Sequence, residues 1–503
     1  MSQKKTSLMI FIWFTLVLGI FHSAHLYSND TLLKIRSAQS LLITGSTAVE
    51  TSSGGWGTRG RGGKMYPNFV IGAIIMMIPP VLLTGGISIF LEEKLHAPLL
   101  SAVVSTQNVV FTAAAVTVLF LVLVNCGIHI KKAFIASSIL LFSTEIFTYS
   151  SSGWSEPGAL LATSIALLFL SKKGLPDFVA WKGFAVGIAF TSLIRIELML
   201  FFLIFLCLMF FSQGFNKRML LWPLCALVVT GTIHLGYNYY RFESLFNFGY
   251  FMKSSGSENE KKAISLLLRA ICTLNFTDPT KLKLLYLSFG RVHPFWAAPL
   301  LIAVPFYLRK FMQITPVMRN LFITAVLFFP FIGPNSWCWG NRYIYMLIPF
   351  LLIPILFAQP VCKKASLVLK IGILLGVGVS FSGKLINYHT ILEQQVYKHG
   401  YSNVMVHRSQ NIVYAPIWHH LRELPGALKR TMTLPAQQTG TVHWQQARKE
   451  YLDIWPVGLA AVGFPPLLAF CMWVIWTGVT GWYSLFIMKQ MGFGRRRLKC
   501  SSV

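Results

Sequence analysis

The sequence predicts an all-α polytopic membrane protein with about twelve transmembrane helices. Of its 503 residues, 54% are hydrophobic and 12% are charged, which is about half the charged share of an average soluble domain. The mean hydropathy is +0.60, and long apolar runs recur from one end of the chain to the other. An outer-membrane β-barrel is excluded, because barrels show short alternating strands rather than long apolar runs.

Basic clusters between the apolar runs orient the predicted helices, since Lys and Arg concentrate in cytoplasmic loops. These clusters begin with Lys4-Lys5 and continue at 131–132, 172–173, 217–218, 309–310, 363–364 and 495–497. The predicted spans lie near 8–27, 103–126, 134–150, 158–171, 180–195, 198–214, 220–238, 295–308, 319–334, 343–360, 366–383 and 456–488. Both chain ends are then cytoplasmic. The formal charge of +28 fits this arrangement, and no motif for nucleic-acid recognition accompanies it.

Residues 67–91 are apolar enough to cross the membrane, but a crossing would turn Lys131-Lys132 outward. The run also contains Pro79-Pro80, which interrupts a regular helix. We therefore expect helices that lie on, or dip into, the outer leaflet. Residues 28–102 then form one long outer loop.

The predicted organisation has three parts. Residues 1–383 form a transmembrane module with outer loops at 28–102 and 239–294. Residues 384–455 form an outer loop or a small cap, and 456–503 form a last transmembrane helix with a basic cytoplasmic tail.

This topology brings several ionisable residues to the outer membrane face. Asp30 is expected where the first span ends, and Glu156 in the loop between the third and fourth spans. Arg195 with Glu197 occupies the next outer turn, and Arg342 begins the tenth span. Ionisable groups at a membrane boundary need partners or a watery cavity, which makes these residues functional candidates.

Structural explanations stand beside the functional ones. Asp30 fits a helix cap, and Glu156 fits a solvated loop carboxylate or a cap before a proline. Arg195 with Glu197 fits the anchor of a tight turn, and Arg342 fits a side chain that snorkels to the interface.

The glycine-rich stretch 54–66 carries Arg59, Arg61 and Lys64. These cations fit a grip on a lipid phosphate, and they equally fit plain attraction to anionic lipid.

Five segments resemble the GT-C superfamily of membrane glycosyltransferases, over roughly the first 350 residues. They are Ser28-Asn29-Asp30 with the following 36–45 helix, Gly63 to Gly72, Trp154 to Pro157, Asn238 to Ser244 with Phe248-Gly249-Tyr250, and Trp339 to Tyr343. Two departures stand out. Glu243 occupies a position where the family has Gly, and Asp30 is not followed by a second acidic residue, which leaves the use of a divalent metal open.

The resemblance implies a catalytic base at Asp30, with Glu156 orienting the acceptor or sharing that role. It implies lipid-phosphate and substrate contacts from cationic and phenolic side chains: Arg59, Arg61, Lys64, Tyr66, Arg195, Arg241 and Arg342. The donor would be a polyprenyl-phosphate sugar, and the acceptor a lipid, glycan or protein hydroxyl at the outer face of a bacterial inner membrane. No other cofactor is implied. A lipid-linked saccharide flippase and a glycan polymerase or ligase remain alternatives.

Overall fold

The computed structural model describes residues 3–24, 26, 29–49, 57–172, 174–212, 216–249, 298–329, 344–357, 363–386, 416–434 and 451–493. These residues are mostly helical, with one small two-stranded sheet. The helices of the first half are α1 Gln3–Ile20, α2 Asn29–Thr44, α3 Ile71–Ile75, α4 Ile78–Ser88, α5 His96–Asn125, α6 Ile130–Phe142, α7 Glu145–Thr148, α8 Glu156–Ser171, α9 Asp177–Ile194, α10 Leu198–Phe210 and α11 Leu221–Phe242.

The second half continues with further helices and a long 3₁₀ segment, Pro299–Gln313. These helices are α12 Pro316–Phe328, α13 Ile348–Leu351, α14 Ile353–Phe357, α15 Lys363–Leu385, α16 Pro416–Thr433, α17 Trp455–Ala461 and α18 Pro466–Gln490. The sheet pairs β1 Gly57–Arg59 with β2 Met65–Pro67 in antiparallel register.

Seven helical segments in the described part of the chain are long and apolar enough to cross a membrane. They are Gln3–Ile20, Ile71–Ser88, His96–Asn125, Asp177–Ile194, Lys217–Phe242, Lys363–Leu385 and Pro466–Gln490. Shorter apolar helices, such as α8, α10 and α12, lie among them. The chain is therefore a multi-pass helical membrane protein, while the count of twelve spans stays a prediction.

At one end of the helix bundle, which we call the basic end, the helix ends next to the predicted cytoplasmic clusters of Lys and Arg lie together. Gln3 Nε2 donates to Asn125 Oδ1 at 3.1 Å, and Asn125 reaches Ser171 Oγ at 3.4 Å. Lys131 Nζ donates to the carbonyl of Gly492 at 2.8 Å. The grouping that the basic residues predicted from sequence is thus present in the packing.

The opposite end, which we call the polar end, gathers the ends of the helices that were predicted to face outward. Ser23, just after α1, lies 3.4 Å from Ser151, and Ser105 of α5 donates to the Ser151 carbonyl at 2.8 Å. Lys384, near the end of α15, also donates to Ser151. Ser105 and Asn125 are twenty residues apart on one helix, a rise of about 30 Å, which is the thickness of a bilayer core.

Helices α3 and α4 belong to the polar end. Met76, between them, accepts a 2.9 Å hydrogen bond from Gln107 of α5. Val81 of α4 packs beside Leu100 in an apolar cluster built around Met77 and other residues. Because α4 packs beside the first turns of α5, the two helices do not reach the basic end, although their combined length and hydropathy would suffice for a span.

Several predicted span boundaries are wrong. The first helix ends at Ile20 rather than near residue 27, so Asp30 lies ten residues later, in the first turn of α2. The described part of the span expected near 295–308 falls in the 3₁₀ segment Pro299–Gln313, which has Pro305 inside it. Proline removes a backbone donor and clashes with the preceding turn, which prevents a regular α-helix there.

Close packing of α8 against α9 sets the geometry of the polar end. A Cβ on Gly187 would lie 2.6 Å from Ala166 Cβ, and one on Gly183 would lie 2.2 Å from the Phe169 ring. The two helices therefore touch along glycines, as small residues allow in membrane bundles. This contact brings the start of α8 beside the end of α9.

Candidate functional site

The centre of the polar end is a loop rich in serine that joins α7 to α8 and spans residues 149–156. We call it the serine loop, and every residue in it is buried. Asn108 of α5 donates to the Trp154 carbonyl at 2.9 Å, while the Trp154 ring lies 4.8 Å from that of Tyr149. Helix α5 and internal stacking therefore fix the loop's shape, so groups attached to it have defined positions.

Helix α2 begins on this loop. Thr31 Oγ1 donates to the carbonyl of Gly153 at 3.1 Å, and Thr31 is fully buried. Gly153 has φ +71, and a Cβ there would lie 2.8 Å from Thr31 Cγ2. Glycine thus allows both the backbone turn and the close approach of α2.

Asp30 precedes Thr31, so its backbone lies close to the serine loop, and the residue is partly exposed. A carboxylate in the first turn also favours the helix N-terminus electrostatically, which agrees with the structural explanation for this residue. The structure places Asp30 in the first turn of a helix that begins at the polar end. Its role as a catalytic base stays a prediction.

Glu156 ends the serine loop and is held in an ion pair. Its Oε1 accepts a 2.6 Å hydrogen bond from Arg195 Nη1, and its side chain is 1% exposed. Arg195 also binds Glu197, through Nε and Nη2. One guanidinium thus joins two carboxylates, and the turn that follows α9 is tied to the start of α8.

This network limits what Arg195 can do for a substrate. Its donors already face protein carboxylates, so a direct bond to a lipid phosphate would need a rearrangement. Glu197 is the exposed member, with 41% of its side chain accessible. The arrangement makes Arg195 a positioning group for Glu156.

Lys384 is a further ionisable residue of the site, and the sequence analysis did not select it. It is fully buried near the end of α15, where Nζ donates to the hydroxyls of Ser150, at 3.1 Å, and Ser151. Asp453 interacts with it electrostatically. A signal was present in the sequence, because a lysine at the outer end of a span departs from the positive-inside pattern.

Arg241 has a structural role. Its guanidinium is buried, and Nη1 donates to the carbonyls of Pro67 at 2.6 Å and Phe69 at 3.0 Å. It also stacks on Tyr237, 4.0 Å from the ring centroid. These bonds join the end of α11 to the end of β2. They engage the guanidinium of Arg241, which was expected to hold phosphate.

Tyr66 is buried in the same junction, with its ring edge-on to Tyr240 and Phe242. Burial raises the pKa of the Tyr66 hydroxyl, and a hydrogen bond with Ser46 opposes that shift. Gly60 fits because a Cβ there would lie 2.1 Å from the Arg241 carbonyl oxygen. The two-stranded hairpin is therefore firmly seated on α11.

Three cations project from this hairpin. Arg59, Arg61 and Lys64 are all exposed, and Arg61 lies 3.5 Å from the exposed carboxylate of Glu243. They lie at the polar end, as Asp30 does, because α11 contacts both segments. Tyr237 of α11 lies in one apolar cluster with residues of α2, and Arg241 of α11 donates to a carbonyl of the hairpin. Among the proposed cationic phosphate contacts that the structure describes, these three are the exposed ones.

Glu243 caps α11 in the left-handed conformation, with φ +54. This is the position at which the resembled family has glycine, and glycine adopts that conformation without steric cost. Arg342, the last of the proposed contacts, lies outside the described residues. Within the described residues, no group of three or more His, Cys, Asp or Glu side chains is placed to hold a metal ion.

No protein-family model, no curated protein and no solved structure matches this chain. The site must therefore be judged on its own geometry.

Proposed function

We propose that this chain is a membrane glycosyltransferase that transfers a sugar from a polyprenyl-phosphate donor to an acceptor hydroxyl at the polar end of its bundle. The observation that supports this most is the bond from Thr31 to the Gly153 carbonyl. It holds the helix that begins with Asp30 on the buried loop that ends at Glu156. In this proposal the partly exposed carboxylate of Asp30 acts next to the serine loop, at a membrane boundary.

In the proposed reaction Asp30 accepts the proton of the acceptor hydroxyl. The acceptor oxygen attacks the anomeric carbon of the sugar, and the bond from that carbon to the phosphate oxygen breaks. The electron pair leaves with the polyprenyl phosphate. General-base assistance of this kind contributes about 10²–10⁴ in rate.

Cationic side chains would stabilise the negative charge that develops on the departing phosphate. Arg59, Arg61 and Lys64 are the accessible ones, on a hairpin that Tyr66 and Arg241 hold in place. Positioned cations stabilise such charge best when they need no reorganisation. Through its bond to Arg195, Glu156 would hold the serine loop against the turn that follows α9. The resemblance also implies a contact between Glu156 and the acceptor.

The membrane setting completes the proposal. We place the polar end at the outer face of a bacterial inner membrane, with α3 and α4 against the outer leaflet. A lipid-linked saccharide transporter would need polar groups midway along several spans. The ion-paired and buried charges Glu156, Arg195 and Lys384 instead lie together at one end.

The test is transfer by the purified full-length protein in nanodiscs, supplied with a panel of polyprenyl-phosphate sugars and hydroxyl acceptors. The proposal expects a glycosidic product, identified by mass spectrometry, from at least one donor. If every donor gives no product while the protein moves lipid-linked saccharides across liposomes, the transporter alternative is correct and the proposal fails.

A further inference from the structure

Helix α16, Pro416–Thr433, covers the ends of two membrane-spanning helices. One face packs into an apolar cluster, through residues that include Leu424 and Ala427. The cluster also takes in Phe470 and Trp473 from the first turns of α18. His420 binds the Ser382 carbonyl at the end of α15, at 2.9 Å. The helix therefore lies where α15 ends and α18 begins. If both helices cross the bilayer, this is the level of the membrane boundary.

The apolar surface of α16 is wider than the protein that covers it. Leu421, Leu428 and Met432 are 39%, 47% and 73% exposed. Their spacing of seven and four residues places them in one stripe, next to the buried face. At the start of α18, Leu467 and Leu468 are exposed as well.

Basic residues border the uncovered stripe. Arg422 and Lys429 are both exposed, and each follows a residue of the stripe, so they lie about 100° around the helix from it. The two are seven residues apart and thus share one face. A helix with an apolar stripe beside a row of Lys and Arg is the pattern of helices that lie in the plane of a membrane surface.

We propose that α16 binds an anionic phospholipid surface, with Leu421, Leu428 and Met432 among the acyl chains and with Arg422 and Lys429 at the headgroups. The partner is the phosphate-bearing headgroup layer of an anionic lipid such as phosphatidylglycerol. This inference depends only on the membrane position of α15 and α18, and it holds whether or not the protein transfers sugars.

The test uses the full-length protein in nanodiscs of equimolar phosphatidylglycerol and phosphatidylcholine. A photo-crosslinking residue, p-benzoylphenylalanine, replaces Leu428 in one variant and Glu423 in a matched one. Both positions are exposed, but they lie about 140° apart around the helix, and Glu423 is on neither the apolar stripe nor the basic face. We expect lipid adducts at position 428 and at least fivefold fewer at position 423. Equal lipid labelling at both positions, or no lipid adduct at position 428, would overturn the proposal.

A second experiment tests the charges of Arg422 and Lys429. It measures which of the two lipids is attached at position 428. Near-surface basic residues attract anionic lipid, and we expect phosphatidylglycerol adducts to exceed phosphatidylcholine adducts by about fivefold. Changing Arg422→Gln with Lys429→Gln should bring that ratio close to one. Changing Lys363→Gln with Lys364→Gln, a pair at the other end of α15, should leave it unchanged. A ratio near one in the parent protein, or a ratio unaffected by the α16 pair, contradicts the electrostatic contact.

Discussion

Thr31 donates a 3.1 Å hydrogen bond to the carbonyl of Gly153, a residue 122 positions further along the chain. Through this bond α2 begins on the loop that also carries Glu156. The bond joins the residue after Asp30 to a residue three positions before Glu156, so the two acidic residues belong to segments that touch.

Gly153→Ala should weaken the contact between α2 and the serine loop. An alanine with positive φ costs about 1 kcal/mol, and its Cβ would also press on Thr31, which adds about 1–3 kcal/mol. Gly174→Ala is the matched control, because Gly174 has φ +81 but no atom within 4 Å of the added Cβ. Thermal unfolding in detergent should show the larger loss for Gly153→Ala, and equal losses would argue against the close contact.

Arg195→Gln should destabilise the protein by about 3 kcal/mol or more, because it leaves the Glu156 carboxylate buried without its cation. The double change of Arg195→Gln with Glu156→Gln should recover a large part of that loss. A double-mutant cycle measured by chemical unfolding gives the coupling between the two groups. Strictly additive effects would show that the ion pair contributes nothing.

Lys384→Met should loosen the serine loop, because the ammonium group holds two of its hydroxyls and faces Asp453. We expect a loss of about 3 kcal/mol for the single change, and a smaller loss when Asp453→Asn accompanies it. Hydrogen exchange of loop amides provides the local measurement. Unchanged protection at Ser150 and Ser151 would contradict the assigned contact.

Glu243→Gly should stabilise the protein by about 0.5–1 kcal/mol, because it removes the left-handed strain at the end of α11. The exposed pair with Arg61 is worth less than this. Glu243→Ala breaks the same pair but keeps the strain, so it should not stabilise. A melting temperature that rises equally for both variants would rule out the conformational explanation.

The sequence predicted which helix ends lie together better than it predicted where each helix ends. Lys131 and the chain start share the basic end, as the charge pattern required, because a membrane penalises misplaced lysines. The end of α1 was misplaced by several residues because hydropathy continues past Ile20, whereas tertiary contacts determine where the helix stops. Ser23, for example, turns toward Ser151.

Partners that are distant in sequence explain the other differences. Arg241 looked like an accessible cation, but its acceptors, Pro67 and Phe69, lie more than 170 residues earlier in the chain. Lys384 departs from the positive-inside pattern, but the sequence does not show that the side chain is buried. Its burial depends on serines 233 and 234 residues away, and no local pattern reveals that pairing.

The central claim is that the Asp30 carboxylate accepts a proton during sugar transfer, and the most direct measurement compares two variants with the wild type. Asp30→Asn and Asp177→Asn each remove a first-turn helix carboxylate, at the polar and the basic end respectively. With the donor that gives product, the account predicts a fall in kcat of about 10²–10⁴ for Asp30→Asn and near-wild-type kcat for Asp177→Asn. Wild-type kcat in folded Asp30→Asn protein would contradict it.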